Sequence, residues 1–68
     1  MIELSEQQIK TLELFAKDGI NMKDISTRLG ISYSRVINIL NEILIKTGYK
    51  TRKELLINSN NVEYCLKK

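Results

Sequence analysis

The chain of 68 residues is 43% hydrophobic and 28% charged, which indicates one small globular domain and excludes a disordered chain. Its net charge of +3 is concentrated in residues 35–68, where seven Lys or Arg stand against three Asp or Glu; this fits an anionic partner and a solubilising surface equally well. The sequence shows no apolar run of transmembrane length, no signal peptide and no second cysteine, so we expect a cytoplasmic protein without membrane association.

The first helix is predicted over residues 6–18. Ser5 is a suitable N-cap, Gln8 completes a capping box with it, and Leu4 can pack on Ile9 across the cap. The helix should end near Asp18 and Gly19, since glycine tolerates a left-handed exit. Its inward side is expected to carry Ile9, Leu12, Phe15 and Ala16.

The second and third helices are predicted over residues 22–29 and 33–47. Asn21 and Ser32 are their N-caps, and Gly30 and Gly48 are their end signals. Hydrophobic staples join Ile20 to Ile25 and Ile31 to Val36. The inward residues, spaced as in an amphipathic helix, are Ile25 and Leu29, then Val36, Ile39, Leu40, Ile43 and Thr47.

A fourth helix is predicted over residues 52–60, because Thr51 and Glu54 form another capping box. Residues 61–68 should then form a short C-terminal tail, with Val62, Tyr64 and Leu66 as an apolar flap. With no proline and a helical spacing of Leu and Ile throughout, the predicted fold is all-α, a single four-helix domain over residues 1–68.

Ser26, Gly30 and Val36 have the spacing that a helix-turn-helix requires. A small residue allows the third helix to cross closely, a glycine permits the left-handed corner, and a β-branched residue anchors the next helix. An ordinary corner between two packed helices in a small bundle would meet the same steric conditions. The spacing therefore favours a DNA-binding corner without requiring one.

The predicted outer face of the third helix carries side chains suited to a DNA major groove. Ile37 can meet a thymine methyl group, and Asn38 and Asn41 can each donate to and accept from adenine; Ser34 lies on the same face. A protein-binding patch including Ile45, with solvated asparagines, is the alternative. Candidate phosphate contacts, which would flank this face, are Asn21, Lys23, Tyr33, Arg35, Lys46, Thr51 and Arg52.

Several segments follow one known pattern in the same order. Leu4-Ser5 is similar to the Leu-Thr with which the pattern opens. GINMKDI at residues 19–25 is similar to its G-x-S-N-K-E-I segment, and Val36 corresponds to the Val of its T-V-K. LGIS at residues 29–32 also matches, Ile43 and Lys46 follow I-x-x-K, and Gly48, Thr51, Arg52 and Glu54 follow G-V-x-N-R-x-E. On these residues the segment from Leu4 to Leu55 resembles the LuxR/GerE-type DNA-binding domain.

The resemblance implies a tetrahelical helix-turn-helix whose third helix enters the major groove, with base contacts from Ile37, Asn38 and Asn41. It also implies a homodimer through the fourth helix, by Leu55, Leu56 and Ile57, that regulates transcription from double-stranded DNA. Without a sensor or phospho-acceptor domain, its own concentration or a partner would set its activity. One departure is an extra residue between Ala16 and Ile25.

A second departure motivates the alternative function. Ile37 and Ile39 stand where the family usually has Lys and His, so the groove face has less positive charge. The alternative is a protein-interaction module that grips a transcription regulator or RNA polymerase; the promoter-reading region of a sigma factor is a third, weaker possibility. An enzyme is not expected, because positioned acid, base and nucleophile groups are missing. No cofactor and no metal are predicted either.

Overall fold

A computed structural model of the chain describes residues 2–17 and 19–67. The fold is mostly helical. Its elements in chain order are β1 (Ile2–Leu4), α1 (Glu6–Leu12), a π-helical turn (Glu13–Lys17), α2 (Met22–Leu29), α3 (Tyr33–Thr47), α4 (Arg52–Ile57), a 3-10 turn (Ser59–Asn61) and β2 (Tyr64–Leu66).

The beginning of α1 agrees with the prediction and its end does not. Ser5 Oγ accepts a 3.2 Å hydrogen bond from the Gln8 N–H, while Gln8 Oε1 accepts one of 2.8 Å from the Ser5 N–H. The regular α-helix ends at Leu12 and continues as the π-helical turn, where the hydrogen bonds span five residues and the turn is wider. Asp18, where the end was predicted, lies outside the described residues.

The bounds of α2 and α3 are the predicted ones. Asn21 Oδ1 accepts from the Asp24 N–H at 2.9 Å, and Ser32 Oγ accepts from the Arg35 N–H at 3.1 Å. Each cap satisfies one of the backbone donors that the first turn of a helix leaves without a partner. Gly30 and Gly48 both have positive φ values at the C-terminal ends.

The hydrophobic core lies between α1, α2, α3 and α4. Its buried residues are Leu4, Leu12, Ile25, Val36, Ile39, Leu40, Ile43 and Leu55. The predicted inward stripe of α3 is therefore confirmed, except that Thr47 is only half-buried and donates to the Ile43 carbonyl oxygen at 2.9 Å. Each fully buried Leu or Ile contributes about 1.5–3 kcal/mol of transfer free energy.

The all-α prediction is wrong at the two ends of the chain. β1 and β2 form a parallel pair in which Ile2 lies opposite Tyr64 and Leu4 opposite Leu66. Leu4 is fully buried, so the backbone beside it must find hydrogen-bond partners inside the protein. The segment predicted as an apolar flap supplies those partners as a strand.

The fourth helix is also shorter than predicted, since α4 ends at Ile57 and a 3-10 turn follows. Asn58 Nδ2 donates to the Glu54 carbonyl oxygen at 2.9 Å, and Ser59 Oγ donates to that of Leu56 at 3.1 Å. The Glu54 oxygen also accepts from the Asn58 N–H at 3.0 Å, so side-chain donors join the last backbone bond of α4 and compete with further helical turns. None of the described helices is both long enough and apolar enough to cross a membrane.

Candidate nucleic-acid interface

The corner between α2 and α3 is formed by Gly30, Ile31 and Ser32. The Ile31 N–H donates to the Ser26 carbonyl oxygen at 3.1 Å and the Gly30 N–H to that of Thr27 at 3.3 Å, which closes the last turn of α2. Gly30 has φ +68°, a left-handed conformation that costs other residues about 1–2 kcal/mol. These bonds fix the direction in which α3 leaves the corner.

Ser26 and Val36 are the buried residues predicted to allow the two helices of this corner to pack closely. Val36 is fully buried, and Ser26 is nearly so. The Ser26 hydroxyl donates to the Lys23 carbonyl oxygen at 2.6 Å, so its polar group is satisfied within its own helix. A small hydrogen-bonded side chain thus lies where α2 packs on α3.

The exposed face of α3 consists of Ser34, Asn38, Asn41 and Ile45. Rotation by about 100° per residue places the four on the side opposite the buried stripe, and all four are exposed. The α3 side chains that bond to other described residues are those of Arg35, Glu42, Lys46 and Thr47. Within the described chain, the amides of Asn38 and Asn41 are therefore free to bind a ligand.

Ile37 and Ile45 differ in exposure. Ile45 is 81% exposed, so nearly its whole side chain is available for an apolar contact. Ile37, predicted on the exposed face, is half-buried instead, because it lies at the border between this face and the buried stripe, three residues before Leu40. Only part of the Ile37 side chain can therefore reach a groove.

Arg35 is held by two groups of the same chain. Its Nη2 donates to Gln7 Oε1 at 3.2 Å, and its Nη1 lies 4.0 Å from Glu42 Oε1. Gln8 Nε2 also donates to Glu42 at 3.4 Å. Since the Arg35 and Glu42 side chains are both 47% exposed, the ion pair is weak. The Glu42 carboxylate nevertheless places a negative charge beside the exposed face.

Lys46 lies on the same side of α3, four residues after Glu42. Its Nζ donates to the Glu3 carbonyl oxygen at 2.7 Å. An ammonium group has three donors, so two remain for other acceptors. Lys46 thus links the outer edge of β1 to the C-terminal half of α3.

The other predicted phosphate contacts are all exposed: Asn21, Lys23, Tyr33, Thr51 and Arg52. Two of them also work as helix caps, because Asn21 and Thr51 accept from the N–H groups of Asp24 and Glu54 at 2.9 Å and 3.1 Å. Asn21 Nδ2 donates to the Asp24 carboxylate at 3.2 Å, which places a negative charge next to this candidate contact.

The predicted dimerisation residues on α4 separate into two kinds. Leu55 is fully buried in the core, so its assignment to a contact surface is wrong: consecutive residues on a helix point about 100° apart, and Leu55 takes the inward direction. Leu56 and Ile57 are exposed, the latter at 69%. They are the part of the predicted set that a second copy could touch.

Sequence reasoning did not find the groups that restrain Arg35 and Lys46. Glu42 is seven residues after Arg35, or two helical turns, so the spacing indicated only that the two side chains share one side of α3. Gln7 and the Glu3 carbonyl come from distant segments, and no local pattern indicates them. Lys50 and Lys53 are further exposed cations around the start of α4 that the prediction left out.

No family model, no curated protein and no solved structure was found to match this chain.

Proposed function

We propose that the chain is a LuxR/GerE-type helix-turn-helix domain that binds double-stranded DNA with α3 in the major groove. The observation that carries the proposal is the exposed face of α3, whose two asparagine amides have no partner in the described chain and project from a tightly bonded corner. Asparagine pairs with the N6 and N7 atoms of adenine. A rigid helix that presents such groups is the geometry that direct base readout needs.

Cations around this face support the proposal. Lys46 follows the exposed face on α3, and Lys50, Arg52 and Lys53 are exposed in the turn and helix that come next. Such side chains neutralise phosphates and release counterions, which supplies affinity without sequence preference. The acidic exception is Glu42, whose carboxylate lies 4.0 Å from Arg35 and offsets part of this positive charge.

The proposed assembly is a cytoplasmic homodimer that regulates transcription. Leu56 and Ile57 would contact a second copy, and the chain measures 29 × 28 × 18 Å. Dimeric helix-turn-helix proteins contact two half-sites about one turn of DNA apart, roughly 34 Å. The expected operator therefore has two half-sites with about 10 base pairs between their centres.

Selection of bound duplexes from a random pool tests this proposal most directly. We expect enriched duplexes to contain adenine-bearing half-sites in a two-fold arrangement, and binding to weaken steeply with salt. If the bound duplexes shared no sequence preference while binding still weakened with salt, α3 would not read bases. No binding at micromolar protein and low salt would remove DNA binding altogether.

A second candidate function is favoured by two observations on the same face. Ile45 is 81% exposed, and Glu42 lies where a carboxylate would repel phosphates. Both suit an α3 that docks on a transcription regulator or on RNA polymerase. Two results together would favour this alternative. The chain would fail to bind DNA, and purified RNA polymerase would capture it. Ile45→Ser should abolish this capture, and the control Asn60→Ser should leave it intact.

A further inference from the structure

The parallel pair of strands leaves one edge of β2 open. The Ile2 N–H donates to the Glu63 carbonyl oxygen at 3.2 Å, and the Lys67 N–H to that of Leu4 at 2.8 Å. In a parallel ladder these bonds direct the N–H and C=O groups of Cys65 towards β1. The corresponding groups of Tyr64 and Leu66 point the other way, where no strand lies in the described part of the chain.

The outer edge of β1 differs from this open edge. Its Glu3 carbonyl oxygen accepts the 2.7 Å hydrogen bond from Lys46. A lysine placed along an edge is one of the ways in which proteins prevent further strand pairing. The small sheet is therefore protected on the β1 side and accessible on the β2 side.

The segment from Glu63 to Lys67 is complementary to an antiparallel copy of itself. When Cys65 lies opposite Cys65 of a second copy, Glu63 lies opposite Lys67 and Tyr64 opposite Leu66. Glu63, Cys65 and Lys67 are all exposed and share one face of the strand. Two pairs of opposite charges thus flank the centre, and such cross-strand pairs favour association.

The directions of the backbone groups select the same register. Tyr64 and Leu66 have outward N–H and C=O groups, so they form hydrogen-bonded pairs, with four bonds in total. Cys65 then forms the central non-hydrogen-bonded pair, at a Cα–Cα distance of about 4.5 Å. A shift by two residues, the next one that keeps the same faces together, removes both Glu63–Lys67 pairs.

We propose that two copies of this chain associate by antiparallel pairing of their β2 edges about a two-fold axis at Cys65. The interaction surface is distinct from Leu56 and Ile57 on α4 and does not depend on DNA binding. Leu66, which is 55% exposed, is partly covered in the pair. Because the strand has only three residues, the association is weak and increases with protein concentration.

Capture of the pair as a disulfide tests the register. Oxidised glutathione accepts two electrons from two Cys65 thiols, which yields one intermolecular disulfide and two molecules of glutathione; the expected Cα–Cα distance permits this bond. We expect rapid formation of a linked dimer by the unmodified chain. Glu63→Lys and Lys67→Glu should each lower the rate severalfold, because each variant places like charges opposite one another.

A mixture of these two variants supplies the decisive control. Each heterodimer again has opposite charges at both ends, so we expect the linked heterodimer, recognised by its mass, to form at the unmodified rate. Lys67→Glu also lowers the net charge from +3 to +1, which would accelerate random collisions. Faster linking by Lys67→Glu alone, or a mixture without preference for the heterodimer, would overturn the proposal.

Amide exchange measures the pairing without oxidation. In a Cys65→Ser variant, we expect the amide protons of Tyr64 and Leu66 to exchange more slowly as the protein concentration rises. The amide at position 65 already faces β1 and should not change. This pattern must persist in Leu56→Asp, which removes the proposed α4 contact. Exchange rates of Tyr64 and Leu66 that are independent of concentration would refute the β2 pair even if the chain dimerises through α4.

Discussion

The Lys46 ammonium group donates a 2.7 Å hydrogen bond to the main-chain oxygen of Glu3, which precedes it by 43 residues. This bond joins α3, which presents the candidate DNA-reading face, to the strand that anchors the N-terminus. The same side chain was predicted from the sequence to contact phosphate. Lys46 can therefore influence the stability of the fold and, under the proposed function, the affinity for DNA.

Replacing Lys46 by alanine should separate these two contributions. We expect a loss of about 1 kcal/mol in the free energy of unfolding, because one charged hydrogen bond at the surface is removed. The slope of the logarithm of DNA affinity against the logarithm of salt concentration should fall by about 1. Urea denaturation and binding at several salt concentrations measure the two effects. Lys50→Ala removes the same charge from an exposed position and should leave stability unchanged.

Asn38→Ala should affect sequence choice and leave stability unchanged. The Asn38 side chain makes no hydrogen bond to the described residues, so its removal leaves no buried group without a partner. Binding to the selected duplex should weaken by about 1–3 kcal/mol, with the loss confined to one base position. Titrations against duplexes that differ at single positions show this. Equal weakening for every duplex would assign Asn38 to the phosphate backbone; Asn60→Ala, at an exposed position of the 3-10 turn, is the control.

Glu42→Gln should strengthen binding to all duplexes. The change removes a carboxylate beside the exposed face and releases Arg35, whose Nη1 lies 4.0 Å from Glu42 Oε1. The glutamine oxygen can still accept from Gln8, so the packing against α1 should persist. We expect a salt slope steeper by about 1. Glu13→Gln changes the net charge equally at an exposed position of the π-helical turn; the same gain for that control would mean that only net charge matters.

Gly30→Ala should destabilise the corner between α2 and α3. A Cβ at Gly30 would meet no atom within 4 Å, but the φ of +68° remains, so the expected cost of about 1–2 kcal/mol is that of the left-handed backbone. Gly30→Asn should cost less, because asparagine adopts this conformation more readily. Thermal or urea unfolding of both variants gives the comparison. Equal costs would indicate a steric cause in place of a conformational one.

Substitutions on α4 should distinguish the buried residue from the exposed ones. Leu55→Ala is expected to lower stability by about 2–5 kcal/mol, since it leaves a cavity in the core. Leu56→Asp should leave the monomer folded and weaken dimerisation. Sedimentation of both variants at increasing concentration measures the oligomeric state beside their unfolding curves. A dimer unaffected by Leu56→Asp would remove α4 from the proposed assembly.

Local patterns predicted α2 and α3 with their bounds. Asn21 and Ser32 bond to N–H groups three residues later, and Gly30 and Gly48 adopt the backbone conformation that ends a helix. These interactions join residues that are close in sequence, so the spacing of residue types indicates them directly. The same reasoning identified Ser34, Asn38 and Asn41 as exposed, since the buried stripe of α3 determines its outer face.

Several of the errors concern contacts between distant segments. The end of the chain was predicted as a flap because Tyr64, Cys65 and Leu66 show no sign of a strand until Ile2, Glu3 and Leu4 lie beside them. A three-residue strand has too few residues for its alternation to be recognised, and its stability comes from its partner. The π-helical turn and the restraint of Arg35 by Gln7 likewise depend on how α1 packs.

Bonds and spacings within a few residues were enough to predict where α2 and α3 begin and end and most of the residues that α3 turns towards the core or outward. Ile37 and Thr47, both half-buried, are the exceptions. Packing between distant segments set the other features: the two chain ends pair, Lys46 and Arg35 are held by distant groups, Leu55 is buried, and β2 keeps an open edge. Those outcomes depend on which segments meet in space, and the hydrogen-bond partners that they bring together lie tens of residues apart.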